Sequence, residues 1–150
     1  MKQSAGILVY RTKTRGLEFF LVHPGGPFWK KKEMGAWSIP KGEFTDEDPL
    51  AAARREFEEE TGQPVDGNFL SLNPVKQKSG KLVYAFAVEA DIDETKIISN
   101  SFQLEWPHKS GKWIIVPEVD KAGWFTMEDA KKLINPSQMT LLEELQEKLA

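Results

Sequence analysis

Three glutamates, Glu56, Glu59 and Glu60, stand at i, i+3 and i+4 in the run Arg55-Glu56-Phe57-Glu58-Glu59-Glu60. At helical spacing their side chains leave one side of the backbone. Like charges on adjacent rungs repel, so a helix chosen only for stability avoids this arrangement. A cation is expected among them. Gly42 lies in the loop before the run, where a carbonyl could turn toward the same carboxylates. Carboxylates plus a carbonyl form an all-oxygen site, which suits a hard divalent cation, Mg2+ or Mn2+, better than zinc. Acidic runs taken alone are usually solvated helix faces, so the surroundings carry the weight.

Those surroundings specify a helix with defined ends. Asp46 or Asp48 can cap it, Pro49 suits its first position, and Gly62 followed by Pro64 supplies a stop. Leu50, Ala53 and Phe57 form an apolar stripe suited to packing on a sheet. The stretch from Pro40 to Gly62 resembles the Nudix box, G-x5-E-x7-R-E-U-x-E-E-x-G-U, with U a bulky apolar residue. Gly42, Glu47, Arg55, Glu56, Phe57, Glu59, Glu60 and Gly62 stand where the pattern wants them. There are two departures: four residues rather than five separate Gly42 from Glu47, and Gln63 replaces the last apolar residue.

The resemblance implies an α/β fold, a Nudix-type α/β/α sandwich around a mixed β-sheet. It also implies Mg2+-dependent hydrolysis of a pyrophosphate bond in a nucleoside diphosphate linked to another moiety, with one to three ions bridging the phosphates. Under it Glu59 and Glu60 match the main metal ligands, and Glu56 matches a ligand that also helps activate water. Arg55 matches an arginine that orients the glutamates, and Glu47 a supporting carboxylate; Gly42 and Gly62 shape the loop and the helix end. Family members often draw one more carboxylate from a loop before a late strand. Glu118, six residues before Trp124, is the candidate, with Glu105 beside Trp106 as runner-up. The approach Trp37-Ser38-Ile39-Pro40-Lys41-Gly42 is similar to that of members acting on dinucleoside polyphosphates. Tyr84 lies too far along for that group's downstream tyrosine, and Pro74 too near the box for the proline of ADP-ribose-cleaving members. Dinucleoside polyphosphates and modified nucleoside triphosphates therefore both stay open. A rival reading is a Nudix-fold nucleotide-binding module without hydrolase activity, although such relatives typically lose carboxylates that are present here. A third treats the acidic helix as a protein-docking face.

Composition sets the bounds. The 150 residues are 40% hydrophobic and 29% charged, which describes one soluble globular domain over 1–150. The formal charge of -3 shows no basic footprint for a nucleic-acid polymer. There are no cysteines, so disulfides and thiolate metal sites are excluded. The apolar run Ala5–Tyr10 is too short to span a membrane, and a cytoplasmic location is the default expectation. The expected partner is a nucleotide-type small molecule; dimers are common among similar proteins, which leaves room for a homodimer.

Along the chain, Ser4–Tyr10 and Glu18–His23 read as strands apolar on both faces, joined by a turn at Arg11–Gly16. Pro24–Ala36 is a long loop whose Phe28, Trp29 and Lys30–Lys32 offer stacking and phosphate contacts, or simply a mobile lysine-rich tip. Lys81–Ala90 is the clearest strand, with shorter ones expected at Phe69–Leu72, Phe102–Trp106 and Ala122–Phe125. Helices are expected from Thr126 to Ile134 and from Ser137 to Leu149, the latter with a packing stripe of leucines. Lys41 is a candidate for substrate phosphate or an ordinary surface lysine. Trp29 and Trp37, with Phe28, Tyr84, Trp106 and Trp113, are candidates for stacking on a base. His23 reads as a strand-edge polar residue and His108 as a turn residue.

Overall fold

A computed structural model describes residues 2–150. The strands are β1 (Gln3–Lys13), β2 (Gly16–Pro24), β3 (Lys41–Glu43), β4 (Leu70–Ser71), β5 (Val75–Lys76), β6 (Leu82–Glu89), β7 (Ser101–Glu105), β8 (Trp113–Pro117) and β9 (Val119–Thr126). The α-helices are α1 (Pro49–Thr61), α2 (Met127–Leu133) and α3 (Met139–Leu149). None of the described helices is long and apolar enough to cross a membrane.

The main sheet runs β4-β6-β1-β2-β9, with β1 and β6 parallel and the other pairs antiparallel. Alternation along the strands feeds two cores, one on each face. Ala5, Ile7, Val9, Phe20 and Val22 pack with Ala52, Ala53 and Phe57 of α1. Leu8, Phe19, Leu21, Ala85 and Ala87 pack with Ile134 of the α2 end and with Leu141, Leu142 and Leu145 of α3. This is the mixed sheet between helical layers that the two-sided apolar strands demand. The leucine stripe of α3 is core.

One irregularity positions the site. β2 pairs with β1 only at the far end, from Tyr10↔Phe19 to Lys13↔Gly16. Nearer the start of β1 the two strands part, and residues 38–43 wedge between them. Ser38 exchanges backbone bonds with Val22 at 2.9 and 3.0 Å, Ile7 donates to the Pro40 carbonyl at 3.1 Å, and Ser4–Gly6 pairs with β3. The wedge satisfies the backbone groups that the parted strands expose, and it delivers the chain to the start of α1 beneath a cleft.

Several expected boundaries shift. β1 and β2 reach closer together than expected, leaving a turn of only Thr14 and Arg15. β7 and β8 pair with each other in a separate two-stranded sheet. The segment after β6 contains a 3₁₀ turn at Glu94–Lys96 capped by Asp93, and another turn of that kind, Pro136–Gln138, precedes α3.

Candidate active site

Helix α1 begins as its sequence dictates. The Asp48 carboxylate accepts from the Ala51 amide at 3.1 Å, and Pro49 occupies the first turn. It ends at Gly62, whose φ of 74° is open to glycine at little cost and whose amide donates to the Glu58 carbonyl at 2.7 Å. The first turn carries no acidic residue and the last no basic one. Glu58, Glu59 and Glu60 instead sit at the carbonyl end, where the helix dipole opposes negative charge. The arrangement opposes the helix's own electrostatics.

Arg55 holds this cluster together. Its guanidinium donates to both carboxylate oxygens of Glu47 at 2.7 and 3.3 Å, to Glu56 at 2.9 Å and to Glu59 at 3.3 Å. The four-residue loop therefore still brings Glu47 onto Arg55. Gly42 lies against Glu56 so closely that a Cβ there would collide with the carboxylate. Gln63 stands in the apolar position because its side chain pairs with Asp93, donating to its carbonyl at 2.8 Å and accepting from its amide at 3.1 Å. Glu60 accepts from the Lys41 amide at 3.3 Å.

The carboxylates line a cleft of about 480 Å³, with Glu56, Glu59, Glu60 and Glu118 facing Lys41 and Gly42. Glu118 is delivered by backbone bonds. Its amide donates to Asn100, whose own amide donates to Glu59, while the Glu118 carbonyl accepts from Gly25 at 3.0 Å. Burial first, and then the charge of Glu118, pushes the Glu60 carboxyl up to about 8. Burial and the charge of Glu59 raise Glu56 and Glu118 as well, against the pull of Arg55 on Glu56. Clustered acids that raise one another hold protons that a cation bound among them would displace. Among the described residues no three of them are gathered at metal-binding distance. Glu56 and Glu59 are drawn onto Arg55, and Glu60 onto the Lys41 amide. Lys41 is partly buried in the same cleft; burial and then the neighbouring Lys81 lower its pKa.

Other candidates lie elsewhere. Trp37 is a correction: it is buried in the α2–α3 core, edge-on to Phe125 at 4.9 Å and to His23 at 5.3 Å, so its ring has no face to offer a substrate. Trp29 sits on the long loop beside Phe28 at 4.9 Å, outside the cleft lining. Glu105 accepts from the Gly111 amide at 2.9 Å and closes the β7–β8 turn, leaving Glu118 as the cleft carboxylate. Tyr84 packs edge-on to Phe44. His23 is also a correction, being fully buried within a central strand. Its ring nitrogens meet Asp120 at 2.8 Å and the Lys32 carbonyl at 2.6 Å, fastening the long loop to the start of β9.

Two cleft residues were not anticipated. Phe102, 39% exposed, is the single aromatic ring among the described cleft-lining residues. Lys81 reaches the cleft from the start of β6 and pairs with Glu43 at 3.0 Å. Phe102 stands in a segment already read as a strand, but nothing local marks which of its faces meets the carboxylates. Lys81 arrives only through the parallel pairing of β1 with β6, a contact between distant segments.

Residues 1–145 match the family model described as NUDIX domain. The chain belongs to the NUDIX family. As a member it is a Nudix pyrophosphohydrolase, an enzyme of phosphoanhydride bonds. Its fold is similar to that of a C. elegans Ap4A hydrolase in a binary complex, at 20% identity and a TM-score of 0.67 over 97% of each chain. It is also similar to the NUDIX domain of Shewanella oneidensis NrtR complexed with ADP ribose, at 16% identity and a TM-score of 0.67, covering 99% of this chain and 88% of that one. A mutT/nudix family protein from Listeria innocua matches at 16% identity and a TM-score of 0.64, over 99% and 93% of the two Nudix chains. No curated protein matches the sequence significantly.

Proposed function

We propose that this Nudix enzyme hydrolyses a pyrophosphate bond in a nucleoside diphosphate linked to another group, using Mg2+ held by Glu56, Glu59, Glu60 and Glu118. The observation that carries the reading is the convergence of Glu56, Glu59, Glu60 and Glu118 on one cleft beside Gly42. The donor set of carboxylate oxygens fits a hard cation, and Gly42 leaves room for the Glu56 carboxylate beside it. Bound there, the cation supplies charge neutralisation of the phosphate oxygens and a lowered pKa for the attacking water.

The residues divide the remaining work. Arg55 keeps Glu56 and Glu59 aimed while Glu47 keeps Arg55 in place. Glu56, buried against Gly42 in the cleft wall, is placed to accept the proton of the water that attacks phosphorus. The water oxygen bonds to phosphorus, the bridging P–O bond breaks, and the leaving oxygen departs with the electron pair toward the cationic side of the cleft. Lys41 contributes positive charge there, and Phe102 offers a flat face for a base.

The test is a panel of a nucleoside diphosphate sugar, a dinucleoside polyphosphate and a modified nucleoside triphosphate, each with the purified protein and Mg2+. Chromatography reads the released nucleoside monophosphate. Turnover that stops with EDTA is the expected result. Binding of every compound without turnover would assign the fold to nucleotide binding alone.

A further inference from the structure

The end of the sheet that carries the cleft has two unlike sides. The pairings Gln3↔Leu82 and Pro24↔Val119 put the starts of β1, β6 and β9 and the end of β2 together. In the order β6-β1-β2-β9, Lys81 precedes β6 at one side and Glu118 precedes β9 at the other, with the α1 carboxylates between. Phe102 belongs to the Glu118 side, because its cross-strand partner Val116 lies two residues before Glu118.

The β6 side is cationic and open. Glu43 faces two ammonium groups, Lys81 at 3.0 Å and Lys2 at 4.0 Å, and Lys41 lies close enough to Lys81 to feel its charge. Glu43 alone faces Lys81 and Lys2, while Lys41 also feels Glu60 and Glu56, so the positive charge beside the acidic cluster is concentrated on Lys81 and Lys2. Solvent-exposed pairs of this kind contribute little to stability. Beyond the cleft two further hollows, of about 490 and 590 Å³, share Glu43 or Lys81 with it and meet at Lys2. Lys2, Ser79, Gly80 and Lys81 line a shallow groove that adjoins the cleft at Lys81.

We propose that the cleft takes a nucleoside polyphosphate in one orientation, its ring on Phe102 and its terminal phosphate on Lys81 and Lys2, displacing Glu43. The proposal rests on the functional reading above and narrows it to substrates with at least three phosphates. Such chains extend beyond the cleaved bond and can use the groove, whereas a nucleoside diphosphate sugar ends in a neutral ring. Glu43 then acts as a resident anion that the terminal phosphate must replace, and Phe102 and Lys81 become specificity determinants rather than catalytic residues.

The experiment compares Lys81→Gln, Glu43→Gln and Phe102→Ala on a nucleoside triphosphate, a nucleoside diphosphate sugar and inorganic tripolyphosphate. It reads kcat/KM together with calorimetric binding of a non-hydrolysable triphosphate analogue. Lys81→Gln is expected to lower kcat/KM for the triphosphate about tenfold more than for the sugar compound. Glu43→Gln is expected to tighten the analogue several-fold, an effect of opposite sign that misfolding would not produce. Phe102→Ala is expected to weaken the nucleotide about tenfold or more, with a smaller effect on tripolyphosphate, which has no ring. Equal losses on both nucleotides in Lys81→Gln, or weaker binding in Glu43→Gln, would overturn the orientation. Wild-type cleavage of the sugar compound in that case leaves the functional reading standing; no wild-type turnover of any compound overturns both.

Discussion

Two buried glutamates at opposite ends of the sheet have opposite environments. Glu18, 2% exposed at the start of β2, receives Arg11 at 2.8 Å and Arg15 at 2.7 Å, and these partners hold its carboxyl below the ordinary range despite burial. Arg11 continues to Asp91 and stacks over Trp124, so the group is a closed network tying β1, β2 and the loop after β6 together. Glu56, 8% exposed on α1, has Arg55 but also Glu59 and Glu118, and its carboxyl is raised. One end of the molecule neutralises its buried charge within the chain. The other accumulates it. A buried charge is costly unless paired, so the unbalanced end is where a ligand of opposite sign completes the electrostatics.

Removing charge at each end should therefore have opposite consequences. Glu60→Gln is expected to lower turnover by about 10²–10³-fold while the fold holds or gains stability, because an unbalanced buried acid is removed. Near-normal activity would take Glu60 out of the site. Gly42→Ala should cost about 10–100-fold in activity with a small change in melting temperature, since the new methyl displaces only the flexible end of Glu56. Glu18→Gln should do the reverse, lowering stability by about 2 kcal/mol in urea unfolding with activity retained, the partly exposed arginines limiting the loss. Equal effects of Glu18→Gln and Glu60→Gln on both readouts would erase the distinction.

The last effect is in pH. The Glu60 carboxyl rises from 4.5 to about 8 on folding, so the folded chain keeps a proton that the unfolded chain loses across that window. Its contribution to stability is full below pH 4.5 and is lost as pH rises through 8. Glu56 and Glu118 have the same sign, while Glu18 and Glu43 have the opposite one. Melting curves in EDTA at pH 5 and pH 8 should show a steeper decline for wild type than for Glu60→Gln. Parallel declines would mean that Glu60 titrates as an ordinary surface acid.

Local chemistry was the legible part of this chain. The carboxylate spacing, the Asp48 cap, Pro49 and Gly62 act within a few residues of themselves, and α1 forms where they place it. The two-sided apolar pattern of β1 and β2 likewise announced a covered sheet. Relations between distant segments were hidden. Trp37 looks in sequence like a ring beside the metal loop, yet the wedge between β1 and β2 turns it into the opposite core. The burial of His23 depends on β9 supplying Asp120 from 97 residues away. Lys81 becomes a neighbour of the glutamates through strand order and Phe102 through the β7–β8 pairing, neither of which any periodicity encodes.

The central claim is that the unbalanced acidic cleft is a divalent-cation site, and Mn2+ titration followed by electron paramagnetic resonance tests it most directly. Wild-type protein should deplete the free Mn2+ signal, and Glu56→Gln and Glu60→Gln should leave most of it intact while Glu18→Gln behaves like wild type. A free-ion signal undiminished by wild-type protein at millimolar Mn2+ would contradict the account.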